Sequence, residues 1–247
     1  VEEADYTQWL IRKGLLLWQK KLYDDSCKLI STLAGRRSGK TYGIGSKGLA
    51  HCLEPPDIYN INGVITQKPK ITYYIGLTVE KAAAIMWEPL KQRIKDCHIK
   101  TRKIDNSDYT IYFTNGSIFK LVGNSSKAER EKLRGLDISC AIIDEMQSQV
   151  GVQYLIESII QPQLKARNGT LILAGTAPLT AGTFWEMVQK NDTYSHYHAT
   201  MEDNETIPDR FNALQSVLDE NGSLKLSGEV TETCQYYAFY MGVATVE

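Results

Sequence analysis

A mostly parallel α/β sheet flanked by helices is predicted by three features of this 247-residue sequence. Short apolar runs of strand length recur at residues 28–33, 71–77, 138–143, 170–174 and 194–199. Helical stretches such as 42–52 and 79–95 alternate with them, and parallel strands need crossovers of that kind. The turn after the first run, Ala34-Gly35-Arg36-Arg37-Ser38-Gly39-Lys40-Thr41, is glycine-rich and passes directly into a helix.

Taken in order, residues 6–24 read as one helix, or as two broken at Gly14, with Leu15, Trp18 and Leu22 on one face. Residues 54–69 read as a loop rich in Pro, Asn and Gly. Residues 109–122 read as a hairpin, because two alternating runs flank Asn115-Gly116. After residue 204 the pattern turns polar and helical. The expected organisation is a core over 1–207 followed by a helical extension over 208–247.

Composition narrows the function classes. Hydrophobic content of 43% supports a sizeable core, yet no run approaches the ~20 apolar residues of a membrane span. The acidic start, Val1-Glu2-Glu3-Ala4-Asp5, is unlike a signal peptide. With Val in place of Met, the sequence is expected to be a piece of a longer protein. Five scattered cysteines without a CxxC pair (Cys27, Cys52, Cys97, Cys140, Cys234) read as reduced thiols inside a cell. The net charge is −1, so any contact with a polyanion is expected to be a local patch.

Two motifs carry chemistry. The turn 34–41 reads as a phosphate-binding P-loop, although Ala34 stands where the consensus has Gly. Its backbone N–H groups and the helix N-terminus suit phosphate oxygens. Gly35, Arg36, Arg37, Ser38 and Gly39 would form the cradle. Lys40 would reach the β/γ-phosphates of ATP, and the Thr41 hydroxyl would ligate Mg²⁺. The run Cys140-Ala141-Ile142-Ile143-Asp144-Glu145 is an apolar strand ending in two acids, a Walker B pattern. Asp144 would hold Mg²⁺ beside Thr41, and Glu145 would activate the attacking water. Each motif alone has an ordinary reading as a strand-end turn; together they point to an ATPase. A third strand ends in Gly175-Thr176-Ala177-Pro178. If it lies between the other two, Thr176 sits near the γ-phosphate.

The succession of motifs resembles the ATPase part of the large terminase subunit of tailed bacteriophages. Trp18-Gln19 resembles its adenine-binding Gln motif. The loop 34–41 resembles its variant Walker A, in which Arg is usual and the first Gly drifts. Asn115-Gly116-Ser117, then Leu133-Arg134-Gly135-Leu136, then Asp144-Glu145 resemble its hairpin, Arg-Gly and Walker B order. Gly175-Thr176-Ala177-Pro178 resembles its coupling motif, and residues 201–208 resemble the segment leading out of the core. The resemblance implies a P-loop NTPase of the additional-strand type, with a mostly parallel sheet and a β-hairpin insertion. It implies an Mg²⁺-dependent ATPase that drives double-stranded DNA into a procapsid. A portal protein and a small terminase subunit would be its partners, and it would work in a homo-oligomeric ring in the host cytoplasm, transiently at the portal vertex. The isolated fragment is expected to be a monomer. Gln19 would contact adenine, Thr176 would couple hydrolysis to movement, and Arg134 would be an arginine finger given to a neighbouring subunit. The family's nuclease domain is not expected within the roughly forty residues after Pro208.

Lesser candidates have simpler readings. Arg134 can pair with Glu129 or Glu131, and Arg36 or Arg37 can serve as a finger in cis. His196 and His198 share a strand face without an evident third metal ligand. The basic stretch Lys91, Arg93, Lys95, Lys100, Arg102 and Lys103 reads as solvated surface, and the four tryptophans as packing in a core or an adenine pocket. Two rival functions remain: a helicase-like ATPase, and a scaffold that binds nucleotide without turnover. Glu145 argues against the scaffold, which needs no water-activating acid.

Overall fold

The computed structural model describes residues 2–176, 188 and 191–207. The expected extension over 208–247, and Ala177 and Pro178 of the third motif, lie outside these residues. The chain begins with two helices, α1 (Glu2–Lys13) and α2 (Leu17–Asp24), separated at Gly14. Strand β1 (Leu29–Ala34) leads through the P-loop into α3 (Lys40–Leu53). A two-stranded ribbon follows, β2 (Asp57–Ile61) and β3 (Val64–Lys68). Then come β4 (Ile71–Gly76), α4 (Val79–Asp96), β5 (Thr101–Asp105), β6 (Thr110–Phe113), β7 (Ile118–Gly123) and α5 (Lys127–Lys132). Beyond β8 (Cys140–Ile143), α6 (Val152–Tyr154) runs through a π-helical stretch, Leu155–Ile160, into α7 (Gln161–Arg167). Strands β9 (Thr170–Gly175) and β10 (Ser195–Ala199) complete the order.

Eight strands form one sheet in the order β10-β1-β9-β8-β4-β7-β6-β5. All pairings from β10 to β7 are parallel; β7-β6 and β6-β5 are antiparallel. Parallel strands covered on both faces are apolar throughout, and alternate residues serve opposite layers. Ile142, Ile172 and Ala174 pack with Ile44 of α3 and Met86 of α4. Their neighbours Ala141, Ile143, Leu171 and Leu173 pack with Leu155, Ile159 and Leu164 on the other face. Helix α3 lies close on the sheet because Gly48 has no Cβ; one placed there would meet Ile142 Cδ1 at 2.6 Å.

Several expectations are corrected by packing. Residues 54–69 hold a ribbon rather than a loop. Its turn is Asn62-Gly63, with φ of 52° and 83°, the left-handed pair a two-residue hairpin turn demands. The hairpin at Asn115-Gly116 is part of the main sheet rather than an insertion, since β7 also pairs with β4. Strand β5 and the helical run 152–167 add to the elements expected from sequence. Arg93 is buried rather than solvated: its guanidinium bonds the Tyr42 hydroxyl and the Ile11 carbonyl and lies 4.6 Å from the Tyr42 ring. Trp18 and Trp87 are core residues, whereas Trp9 is half exposed and stacks on Tyr6. All four described cysteines are free thiols. No described helix is long and apolar enough to cross a membrane.

The N-terminal edge of the sheet carries a charge clamp. The buried Arg167 guanidinium contacts Asp57 Oδ2 and Asp137 Oδ2, each at 2.8 Å. Lys70 pairs with Asp57, and Lys68 with Asp137 at 3.1 Å. Burial opposes both carboxylate charges, but Arg167 with Lys70 or Lys68 outweighs it and holds both carboxyls below their ordinary value. A depressed carboxyl contributes stability that is present above its unfolded pKa of about 4 and is lost as pH falls through the folded value. Arg167→Met is therefore expected to lower stability at pH 7 by about 2–3 kcal/mol, discounted for the partial exposure of Asp137. It is also expected to flatten the acid limb below pH ~4. Urea unfolding of both proteins across that range measures the two effects.

Candidate nucleotide and catalytic site

The C-terminal ends of β1, β9 and β8 bring the basic and acidic motifs together. Lys40, the first residue of α3, directs Nζ to Asp144 Oδ1 and Glu145 Oε1, both at 3.1 Å. Lys40 is 7% exposed and Asp144 1%. Burial works against the lysine charge, but Asp144 and then Glu145 outweigh it and hold the ammonium above its ordinary pKa. The second oxygen of Asp144 accepts from the Tyr74 hydroxyl at 2.6 Å. Burial, followed by the Asp144 charge, pushes the Tyr74 pKa far up, so this hydroxyl stays a donor. Glu145 takes a left-handed conformation, φ 51°, and its N–H donates to Asp144 Oδ1 at 2.8 Å. Left-handed backbone in a non-glycine residue costs roughly 1–2 kcal/mol and is held here by its surroundings.

The P-loop is braced from below and behind. Gly39, φ 87°, caps the N-terminus of α3 and must lack a Cβ: one there would meet Gln19 Nε2 at 2.5 Å. Ser38 Oγ donates to Gly35 C=O at 2.7 Å, and Gly35 N–H donates to Ala199 C=O at 2.9 Å. Trp18 Nε1 donates to Ser38 C=O at 3.2 Å. Asn204 Nδ2 donates to Arg37 C=O at 2.6 Å, so the segment after β10 grips the loop. Arg36 and Arg37 are exposed on its outer side, and Thr41 is half-buried.

Gln19, the expected adenine contact, also has a role within the chain. It is 1% exposed. Its Oε1 accepts from Leu16 N–H and its Nε2 donates to Gly39 C=O, each at 2.8 Å. In this arrangement the side chain starts α2 and props the P-loop. Arg134 is likewise engaged within its own chain. Nε pairs with Glu131 at 2.8 Å, Nη2 donates to Tyr154 OH at 2.7 Å, and Nη1 donates to Ser158 C=O at 3.3 Å. The ion pair with Glu131 anticipated as the simpler alternative is thus present. The guanidinium is half exposed, and its bonds are to Glu131, Tyr154 and Ser158 rather than to Lys40, Asp144 or Glu145.

Strand β9 does lie between β1 and β8, the arrangement that the reading of Thr176 requires. Thr176 is buried. Its N–H donates to Gln147 Oε1 at 3.1 Å, and Gln147 Nε2 donates to Glu145 Oε2. Gln149 Nε2 donates to Asp144 C=O at 2.7 Å and its Oε1 accepts from Asn124 Nδ2 at 2.8 Å. Sequence reasoning misses Tyr74, Gln147, Gln149 and Asn124. A polar residue two or four positions past an Asp-Glu pair carries no spacing signal, and Tyr74 sits in a run that reads as core.

His196 and His198 form no metal site among the described residues. His196 Nδ1 shares a 2.9 Å hydrogen bond with Ser31 Oγ, and burial, then His196, push His198 down to about 4.

Residues 32–151 match the family model described as terminase large subunit, T4likevirus-type, N-terminal. No curated protein matches the chain in sequence. Among solved structures, the large terminase of a thermophilic bacteriophage is similar, with TM-score 0.60 and 18% identity over 83% of this chain and 51% of that one. The complex of that phage's terminase with ATP-γ-S is similar at TM-score 0.60 and 16% identity, over 83% and 50%. A mutant form of the large terminase ATPase domain of Thermus phage P74-26 is similar at TM-score 0.64 and 15% identity, over 84% and 89%. This chain therefore spans about half the length of the thermophilic phage's terminase. The chain has the fold of phage large-terminase ATPase domains, and its residues 32–151 carry the N-terminal family match of terminase large subunits.

Proposed function

We propose that this chain is the ATP-hydrolysing motor domain of a DNA-packaging enzyme and moves double-stranded DNA into a procapsid. The observation that carries the reading is the convergence of Lys40, Asp144 and Glu145 at the P-loop edge of the sheet. A scaffold that only binds nucleotide has no use for a second, water-accessible carboxylate, Glu145, beside the buried Asp144. The fold shared with the thermophilic phage's terminase, itself bound to ATP-γ-S, supports the same reading.

In this reading Gly35 to Thr41 cradle the phosphates with backbone N–H groups. Lys40 exchanges its two carboxylate partners for β/γ-phosphate oxygens, a move that its single flexible stem permits. That exchange frees Glu145 Oε1 to accept a proton from the attacking water. The Thr41 hydroxyl and Asp144 Oδ1 are hard oxygen donors that suit Mg²⁺, which takes few protein ligands alongside substrate phosphates. Tyr74 holds the other Asp144 oxygen and so orients Oδ1. Bound Mg²⁺ would supply charge neutralisation on the phosphate oxygens. Thr176 would couple hydrolysis to DNA movement. Arg134 would leave Glu131 to act on the nucleotide of an adjacent subunit in a ring, with Arg36 or Arg37 the alternatives in cis. The portal protein and small terminase subunit would be its partners at the procapsid.

Three measurements test this. Glu145→Gln is expected to keep ATP affinity and cut hydrolysis by roughly 100-fold or more, whereas Lys40→Ala loses productive binding; parental turnover in either variant refutes its assigned role. Gln19→Leu strands Leu16 N–H and removes the second donor to Gly39 C=O, which Gly43 N–H still bonds at 3.0 Å, and is expected to cost about 1–3 kcal/mol of nucleotide-free stability. A selective loss of ATP over GTP would support the adenine contact, whereas an equal loss of both would assign Gln19 to bracing the P-loop. Arg134→Ala and Glu145→Gln are each expected to be inactive alone and to regain activity when mixed, since a Glu145→Gln subunit can lend its Arg134 to a neighbour's Glu145. A mixture that stays inactive while its subunits demonstrably associate would move the finger to Arg36 or Arg37.

A further inference from the structure

Among the described residues, Gln147 is the side chain that joins the Walker B glutamate to the end of the strand between β1 and β8. Its Nε2 donates to Glu145 Oε2, and its Oε1 accepts from Thr176 N–H at 3.1 Å. Chemistry fixes the amide's orientation: a carboxylate only accepts and a backbone N–H only donates. The residue is itself held, because it sits in the short 3₁₀ turn Met146–Ser148. Ser148 N–H closes that turn on Glu145 C=O at 2.8 Å, and Met146 is buried in the core layer beneath it.

The two oxygens of Glu145 are thus divided between two partners. Oε1 faces Lys40 and Oε2 faces Gln147. Resting on the reading of Glu145 as the water-activating base, we infer that Gln147 is a positioning residue for hydrolysis. When Lys40 turns to the phosphates, Gln147 alone of these two keeps the carboxylate aimed, through Oε2, and leaves Oε1 for the water. Its other end is set by the backbone of Thr176. The position of that strand end is therefore transmitted to the base through an amide, and the contact uses the Thr176 N–H rather than its hydroxyl. Only an amide of this length meets both demands. Glu at this position keeps the acceptor for Thr176 N–H but sets a carboxylate against Glu145. Met keeps the length and loses both bonds.

The test is single-turnover ATP hydrolysis by the 247-residue chain in excess over ATP, with thermal unfolding recorded for each variant. Gln147→Met is expected to lower the hydrolysis rate by about 10–100-fold, the scale of a mis-aimed catalytic group. ATP affinity should stay within about threefold, because the loss falls on the chemical step. Gln147→Glu is expected to fall at least as far, and it is read in the same way if Gln147→Met does not fold. The discriminating measurement is the same substitution on a Glu145→Gln background. With no base left to aim, Gln147→Met should cost less than about twofold more. A purely structural role would repeat its full cost there and overturn the inference, as would a parental rate in Gln147→Met. A parent chain that neither binds nor hydrolyses ATP overturns the functional reading itself. A parent that hydrolyses at the rate of Gln147→Met overturns this inference alone.

Discussion

The buried ammonium of Lys40 between Asp144 and Glu145 is the interaction on which the site's arrangement depends. A buried charge is tolerated only when paired and hydrogen-bonded, and here one cation at the start of α3 is balanced by two acids just past the end of β8. That pairing fixes the start of α3 against the end of β8. The intervening β9 is hydrogen-bonded to both β1 and β8, and a strand covered on both faces must be apolar on both. Leu171, Ile172 and Leu173 meet that condition. The Tyr74 hydroxyl and the Glu145 N–H then satisfy the remaining oxygen valences of Asp144, so the pair is embedded in a hydrogen-bonded setting rather than stranded in apolar surroundings.

Much of this is legible in the sequence because it depends on local chemistry. Gly39, Lys40 and Thr41 mark a strand-to-helix turn, and Asp144-Glu145 terminate an apolar run. Asn115-Gly116 announces a tight turn through the left-handed φ of Gly116. What escapes depends on partners distant in sequence. Arg93 reads as a surface cation until α1 and Tyr42 are folded over it. Gln19 reads as an adenine contact, and nothing in its neighbourhood in sequence shows that its amide also lies under Gly39. The ribbon at 57–68 is obscured by neighbouring prolines, although Asn62-Gly63 is the same turn signal as Asn115-Gly116. The helical run 152–167 lacks an N-terminal capping side chain and holds a π-helical stretch, both of which blur the 3.6-residue period.

Around the Lys40 cluster lies a layer of side-chain amides. Gln19 supports the P-loop from α2, Asn204 holds it from the segment after β10, and Gln147 ties Glu145 to β9. Gln149 and Asn124 continue from the Asp144 carbonyl to the end of β7, where Arg130 of α5 donates to the Asn124 side chain. An amide offers a donor and an acceptor on one rigid plane, so each joins a carbonyl or carboxylate to an N–H or a second amide without adding net charge beside the phosphate loop. A charged residue in any of these places would compete with Lys40 for its acids or with the loop for its anion.

The clamp of Arg167 with Asp57 and Asp137 has a consequence for how the two rims respond to solution conditions. It lies at the N-terminal edge of the sheet and joins the end of α7, the base of the ribbon and the entry to β8 through charge-assisted bonds. Such bonds are worth about 1.5–3 kcal/mol each, against about 0.5–1.5 for neutral ones. Outside the Lys40 cluster, the opposite edge is bridged mainly by neutral amides. The two rims of the sheet are therefore tied by different chemistry: one by a clamp whose charges respond to pH and salt, the other, apart from the Lys40 cluster, mostly by amides that do not.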